Sequence, residues 1–598
     1  MAKLYRAPLI VLLVLLLLAA QATAQLQETQ AEQAFTLARQ LYEDQLYELA
    51  ADQFNDFIQK YPHAPQVQEA WFLLGESFFQ QRQFEQAITA YRALLERHAA
   101  LTLRDQAAFR IGQSQVYGNK LTEAKNSLRR FMDDYPSSAL YPDARYWYGE
   151  ALLRGGSKEE AVRYFGEIVA DHPQSKVADY ALFAIADIRE GENRWDEAIA
   201  AYNRLLKEYP SSPLAEQATF RLGMARYGRK EYDEAIGELS RAIVAWPQSR
   251  WRGEAQYFIG ESFARKGEHE KAAKAFSVIS TLPDNRYADD ALYSLGLAQL
   301  NLNRNEEALA AWQRLLAESG DDDLKAAALF QSGRVEQRRG RSGEALSYFK
   351  RVVSDYPRSA DAPNALFAHA SMLFEKKEFA GARTIFSQIV DRFPKASVAG
   401  DAAVMVGECH LGEGNAEAAN RVFRQTAGGY DQPEVKAQAI FKLGLSRFQA
   451  GEFDLALKNF DDVVRVYART AVAPDARFWR GESYFKLGRF NEALADYQGF
   501  IRDNPSSPRL AEARYGVGYA ALKTGQHQAA AEAFAAASRE SDSAPLKCDA
   551  LMRRGDALMN DKKFAEAVKA YQTAYSSCSD PEHKAEARYQ TGLAWFRS

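Results

Sequence analysis

Alanine returns at positions 50, 87, 124, 161, 198, 235, 272, 308, 345, 382, 419, 456, 493, 530 and 567, a step of 37 residues interrupted once by 36. A period of that length, held from one end of the chain to the other, restricts the fold to a linear array of one small unit. Each unit of such an array buries its apolar face only against its neighbours, so the chain grows by addition and needs no separate cores. An array has no single cleft. It offers a long ribbon of surface, and holding other molecules is the task that such a ribbon suits.

Companion columns define the unit. Twelve residues before each alanine, and again at Gly592, stands Gly or Ala, as in Ala38, Gly75, Gly112, Gly149, Ala186 and Gly223. Four residues after each alanine the side chain is bulky, beginning Phe54, Tyr91, Leu128 and Phe165 and ending with Tyr571. A four-residue step places alanine and bulky residue on one helical face. Between small residue and alanine lies a turn, often with glycine seven places on (Gly156, Gly267, Gly340, Gly414, Gly451, Gly488, Gly525), which suits a left-handed helix end. Proline closes many units, at Pro62, Pro136, Pro173, Pro210, Pro247, Pro357, Pro394 and Pro505, and stops a second helix. The unit reads as two antiparallel helices, with the small residues expected to let the two backbones approach closely.

This pattern resembles the tetratricopeptide repeat, whose W-x2-L-G-x2-Y, A-x3-F signature is met most fully by Trp71, Leu74, Gly75, Phe78, Ala87 and Tyr91. The resemblance implies an all-α, right-handed superhelical solenoid over residues 25–598. About fifteen and a half helix-turn-helix repeats would open near residues 31, 68, 105 and each later step up to 585. The family's usual unit is about 34 residues. The longer unit here, with segments such as Tyr209-Pro210-Ser211-Ser212, is similar to the repeats of bacterial cell-envelope proteins, BamD-like and CpoB-like among them.

The start of the chain points the same way. Lys3 and Arg6 precede a leucine-rich run, and Ala22-Thr23-Ala24 forms a small-residue cleavage site, so residues 1–24 are expected to be a signal peptide. The apolar run is shorter than the ~20 residues needed to span a bilayer. No cysteine lies near the site, so no lipid anchor is expected, and the rest of the chain is placed in the periplasm, free or at the face of the outer membrane. Losing Lys3 and Arg6 leaves 73 basic against 79 acidic residues, a balance that disfavours nucleic acid. Cys548 and Cys578 open the first helix and close the second helix of one unit. Antiparallel pairing brings those ends together, so the two are either a disulfide or two reduced thiols.

A candidate binding surface follows from the register. Three residues before the small column stand Phe72, Phe109, Tyr146, Phe183, Phe220, Tyr257, Tyr293, Phe330, Phe367, Phe441, Phe478 and Tyr515. In the family this position tends toward the concave face, which implies a ladder of rings able to grip a peptide. Rings so placed would equally fill the gap between adjacent first helices. One residue after the small column come Glu76, Glu150, Asp187, Glu261 and Glu482, which no helix-end argument explains. Together these describe an aromatic floor with an acidic rim, suited to basic or amphipathic segments of other envelope proteins. Carboxylates six residues before the column open the first helices, where the helix dipole accounts for them.

No catalytic, cofactor or metal site is expected. The eight histidines are scattered, and no H-E-x-x-H, paired-cysteine or G-x-S-x-G motif occurs. The function implied is an exported scaffold for cell-envelope assembly or maintenance, with a structural bridge in a polysaccharide or pilus secretion complex as the alternative. The last helix, from Ala587, carries Trp595 and Phe596 near its end, and the expectation is either a natural continuation that is missing or an end that docks on a partner or another copy.

Overall fold

The computed structural model describes residues 6–97, 102–279, 282 and 286–598, with the backbone alone for residues 6–14 and 16–24. The described residues form 31 α-helices and no strand. They pair as helix A and helix B of successive repeats: Val67–Gln80 with Phe84–Arg97 in repeat 2, Tyr141–Arg154 with Lys158–Asp171 in repeat 4, Ala473–Lys486 with Phe490–Asp503 in repeat 13. Two compact units divide the chain, Met1–Ala308 and Leu309–Ser598. The division falls inside the helix Asn305–Glu318 and in no loop. Within each unit a helix packs on its predecessor and its successor.

Each column has a physical task. Every alanine of the 37-residue series is 0% exposed. The small column accommodates a side chain: a Cβ on Gly149 would lie 2.6 Å from Phe165 Cε1, and one on Gly112 would lie 2.5 Å from Leu128 Cγ. The glycine therefore receives the bulky residue of its partner helix, which corrects the expectation of backbone lying against backbone. In all fifteen A–B turns the residue seven places after the small column has positive φ. Seven of these are glycine and eight are not, among them Asn119, Asn193 and Lys230. Asparagine tolerates the left-handed region, while lysine there is held by the turn around it.

Loops between repeats are clasped. Ser138 Oγ donates to Asp105 of the preceding repeat at 2.7 Å, and Ser212 Oγ donates to Asp179 at 2.6 Å. Near the other end, Cys548 and Cys578 are joined by a disulfide, with 5.0 Å between their Cα atoms. It ties the start of helix Ala544–Asn560 to the residue that ends helix Phe564–Ser577. Cys409 is a buried free thiol, pushed up to about 12 by burial and by nearby Glu413. At the other end, the helix Arg6–Glu43 runs unbroken through Ala24. Among the described residues no helix is long and apolar enough to cross a membrane.

Candidate functional site

Helix A presents its ring three residues before the small column, and the packing of helix B decides how much of that ring stays open. Tyr146 meets Phe165 at 5.3 Å between centroids, Phe183 meets Tyr202 at 5.8 Å, and Phe367 meets Phe386 at 5.2 Å. The same contact recurs for Phe72, Tyr257, Phe330, Phe441, Phe478 and Tyr515. Each such ring is thus fixed against the bulky residue of its own repeat. Phe109, Phe220, Phe441 and Phe478 are buried outright and belong to the core. Phe72, Tyr146, Phe183, Tyr257, Tyr293, Phe330, Phe367 and Tyr515 are half-buried, with an edge open to solvent. The ladder is therefore a packed floor with eight partly open rungs.

The carboxylates one step after the small column divide in the same way. At repeat 2 the Tyr91 hydroxyl donates to Glu76 at 2.5 Å, and Arg110 of the next repeat donates to the other carboxylate oxygen at 2.7 Å. Glu76 is 5% exposed, which makes it a buried partner and no rim residue. At repeat 13 the Tyr497 hydroxyl donates to Glu482 at 2.6 Å, and burial pushes that carboxyl up. Asp556 receives Tyr571 in the same register at 2.8 Å. The acid satisfies a tyrosine hydroxyl that would otherwise be buried without an acceptor. Where the bulky residue is Phe, the acid meets a half-buried tyrosine of a first helix instead: Tyr146 bonds Glu150, and the Tyr227 hydroxyl donates to Glu261 at 3.4 Å. Glu150, opposite Phe165, has Arg154 of its own helix at 3.7 Å, and burial pushes its carboxyl up. Glu261, opposite Phe276, accepts from Ser294 at 3.2 Å. Asp187 is exposed, because Tyr202 donates instead to Glu190 at 2.8 Å.

Residues two places before the small column escaped the sequence reading. Arg110, Arg221 and Lys442 each reach back to an acid of the preceding repeat: Glu76 at 2.7 Å, Glu190 at 3.1 Å and Glu408 at 3.2 Å. A recurring cation opposite a recurring acid one repeat away was the available signal. The position equivalent to Arg110 beside Glu150 is Ala184, which offers no such charge. Burial also pushes up the carboxyl of Asp143 at the start of the Glu150 helix, and Tyr180 of the next repeat is 39% exposed. Tyr146 and Tyr180 lie 6.5 Å apart, edge to face. One repeat earlier a cleft of about 490 Å3 is lined by Phe72, Phe109, Arg110, Gln113 and Asp143. Among the described residues no three His, Cys, Asp or Glu side chains converge as metal ligands.

Comparison with known proteins agrees with this geometry. A tetratricopeptide-repeat family model matches residues 183–250, 330–397, 441–508, 481–545 and 515–582, and a second such model matches 143–175 and 290–321. A family described as an outer membrane lipoprotein matches residues 18–146. No curated protein matches the chain significantly. Among solved structures, MamA is 25% identical over 28% of this chain and 92% of its own, with a TM-score of 0.25. A tetratricopeptide repeat protein from Parabacteroides merdae is 18% identical over 45% of this chain and 98% of its own, with a TM-score of 0.31. A chain of the APC/C hetero-tetramer Cut9-Hcn1 is 16% identical over 88% of this chain and 96% of its own, with a TM-score of 0.31. The two repeat models together take in more than half of the sequence, and the chain belongs to the tetratricopeptide-repeat family.

Proposed function

We propose that this chain is an exported scaffold of the bacterial cell envelope that grips basic or amphipathic segments of other envelope proteins along its helix A surface and performs no chemistry of its own. The observation that carries the reading is the stretch from Tyr146 to Asp187. There, partly open rings lie beside Glu150, which is bonded to the half-buried Tyr146 of its own helix and not to a buried helix B tyrosine as Glu76 is, and beside the exposed Asp187. Aromatic faces attract cations, and carboxylates without a strong counter-charge favour a guest that brings one. Gripping is multivalent, since each repeat adds a weak contact to the same guest.

The envelope assignment rests on two supports: the outer membrane lipoprotein match over residues 18–146 and the leader-like residues 1–24. The cysteines stand at 409, 548 and 578, so attachment to a membrane is proposed to run through protein partners and not through a lipid near the leader. The test uses the chain as bait in an envelope fraction, followed by mass spectrometry. Two variants are compared with the parent, Tyr146→Ala/Phe183→Ala/Tyr257→Ala and Glu150→Gln/Asp187→Asn. Loss of the same partners in both, with helical content retained, is the expected result. Partners retained by both would contradict groove binding and favour the bridge reading, in which length alone matters.

A further inference from the structure

The second unit carries a cleft of opposite character. About 580 Å3 opens between the loop before helix Ala362–Glu375 and the loop before helix Ala399–Gly412. Arg358, Arg392 and Lys395 line it together with Ser359 and Asn364, and no carboxylate is among its lining residues. In a chain with a net charge of −4 this concentration of cations is unusual. Ion pairs on the flanking helices join Arg351 to Asp355 and Arg383 to Glu413. Among the described residues no carboxylate pairs with Arg358, Arg392 or Lys395; the Arg392 guanidinium lies over the Phe393 ring at 5.3 Å. Asp391 faces a different cavity. Asp361 is half-buried, bonded to Asn364, and its carboxyl is pushed up by burial.

Ser359 supplies the independent observation. It is 7% exposed, lines the cleft, and its Oγ has no hydrogen-bond partner. Two of its counterparts are fully engaged. Ser138 donates to Asp105 and accepts from the Leu140 N–H, and Ser212 donates to Asp179 and accepts from the Leu214 N–H. The residue that would hold the equivalent aspartate for Ser359 is Ala326. One replacement therefore removes both the acceptor of the hydroxyl and a negative charge beside the cleft. A buried hydroxyl left without a partner is unfavourable, and an arriving acceptor would satisfy it. Ser175 has the same orphaned Oγ, yet its loop carries Lys176 as its cation where this cleft has three. The combination of missing acid, buried donor and three free cations belongs to the loops of repeats 10 and 11.

We propose that this cleft binds a compact oxyanion, a phosphate group borne by a small molecule or a lipid headgroup, with Arg358, Arg392 and Lys395 as counter-charges and Ser359 Oγ as the buried donor. Guanidinium groups match the oxygens of phosphate in pairs, and three cations suit a dianion. The site is separate from the acidic helix A surface and takes a ligand of opposite sign.

Inorganic phosphate is the first probe, titrated into the full chain at low ionic strength, where exposed charges are least screened. Calorimetry is expected to show one saturable site. The variant Arg358→Gln/Arg392→Gln/Lys395→Gln is expected to weaken it at least tenfold. Ser359→Ala is expected to weaken it several-fold with the helical content unchanged. Ala326→Asp restores the clasp seen at Ser138 and is expected to abolish binding while keeping or raising thermal stability, which separates a lost site from a lost fold. Absence of saturable binding, or binding that survives the triple variant or Ala326→Asp, overturns the proposal. Vesicles of phosphatidylglycerol against phosphatidylcholine then identify the source. Co-sedimentation that the triple variant loses assigns a headgroup, and phosphate binding without co-sedimentation assigns a soluble ligand.

Discussion

Repeat 2 and repeat 4 present the same three columns and use them differently. Both set glycine beneath a ring, Gly75 under Tyr91 and Gly149 under Phe165, and both follow the glycine with glutamate. In repeat 2 the hydroxyl of Tyr91 and the guanidinium of Arg110 take up both oxygens of Glu76, and the acid becomes part of the core. In repeat 4 the ring has no hydroxyl and the next repeat offers Ala184, so Glu150 keeps only partners on its own helix, Tyr146 and Arg154. A single oxygen atom on helix B thus decides whether a carboxylate fifteen residues earlier is tied into the core or held only from its own helix.

The largest effect expected from breaking this comparison is also the most symmetric. Tyr91→Ala and Phe165→Ala each empty a fully packed site, and each is expected to lower stability by about 3–5 kcal/mol, read by chemical denaturation of the full chain. A large inequality between them would mean that the two crossings are not equivalent frames. Next comes the asymmetric pair. Glu76→Gln leaves Arg110 without its counter-charge beside a buried hydroxyl and is expected to cost about 2–3 kcal/mol. Glu150→Gln is expected to stay within about 0.5 kcal/mol of the parent.

Phe165→Tyr sharpens the contrast by moving the repeat 2 arrangement into repeat 4. The new hydroxyl is expected to engage Glu150, leave stability within about 1 kcal/mol of the parent, and reduce capture of basic partners. Unchanged capture would show that Glu150 takes no part in binding. The smallest effect concerns pH. Burial raises the Glu150 carboxyl above the ordinary value of 4.5, so its contribution to stability is complete below that value and is lost as pH rises through the raised one. Glu150→Gln is therefore expected to be slightly more stable than the parent at pH 7 and equal to it at pH 4, compared by thermal melts.

Much of the fold was legible because each column is a local steric requirement repeated along the chain. The turn glycines announced the left-handed residue, and the same conformation at Arg82 and Lys377 was recoverable only by counting seven places from the small column. Individual rungs were harder to read. Phe183 and Phe220 occupy the same column, yet Phe183 keeps an open edge and Phe220 is 1% exposed beneath Trp246. What separates them lies on the helix B that covers each ring. The duty of Glu76 was hidden for a related reason, since it depends on Tyr91 and on Arg110, residues on two other helices. The orphaned Ser359 follows from Ala326, one repeat away, and becomes visible only once Ser138 and Asp105 show what the register normally joins.

The most direct test of the division among the carboxylates is the affinity of a Lys/Arg-rich amphipathic peptide for the full chain, measured by fluorescence anisotropy at two salt concentrations. The account predicts that Glu150→Gln/Asp187→Asn weakens binding at least tenfold with stability unchanged, while Glu76→Gln lowers stability and leaves the affinity of the folded chain near the parent value. Equal affinity for the parent and the double variant would contradict it.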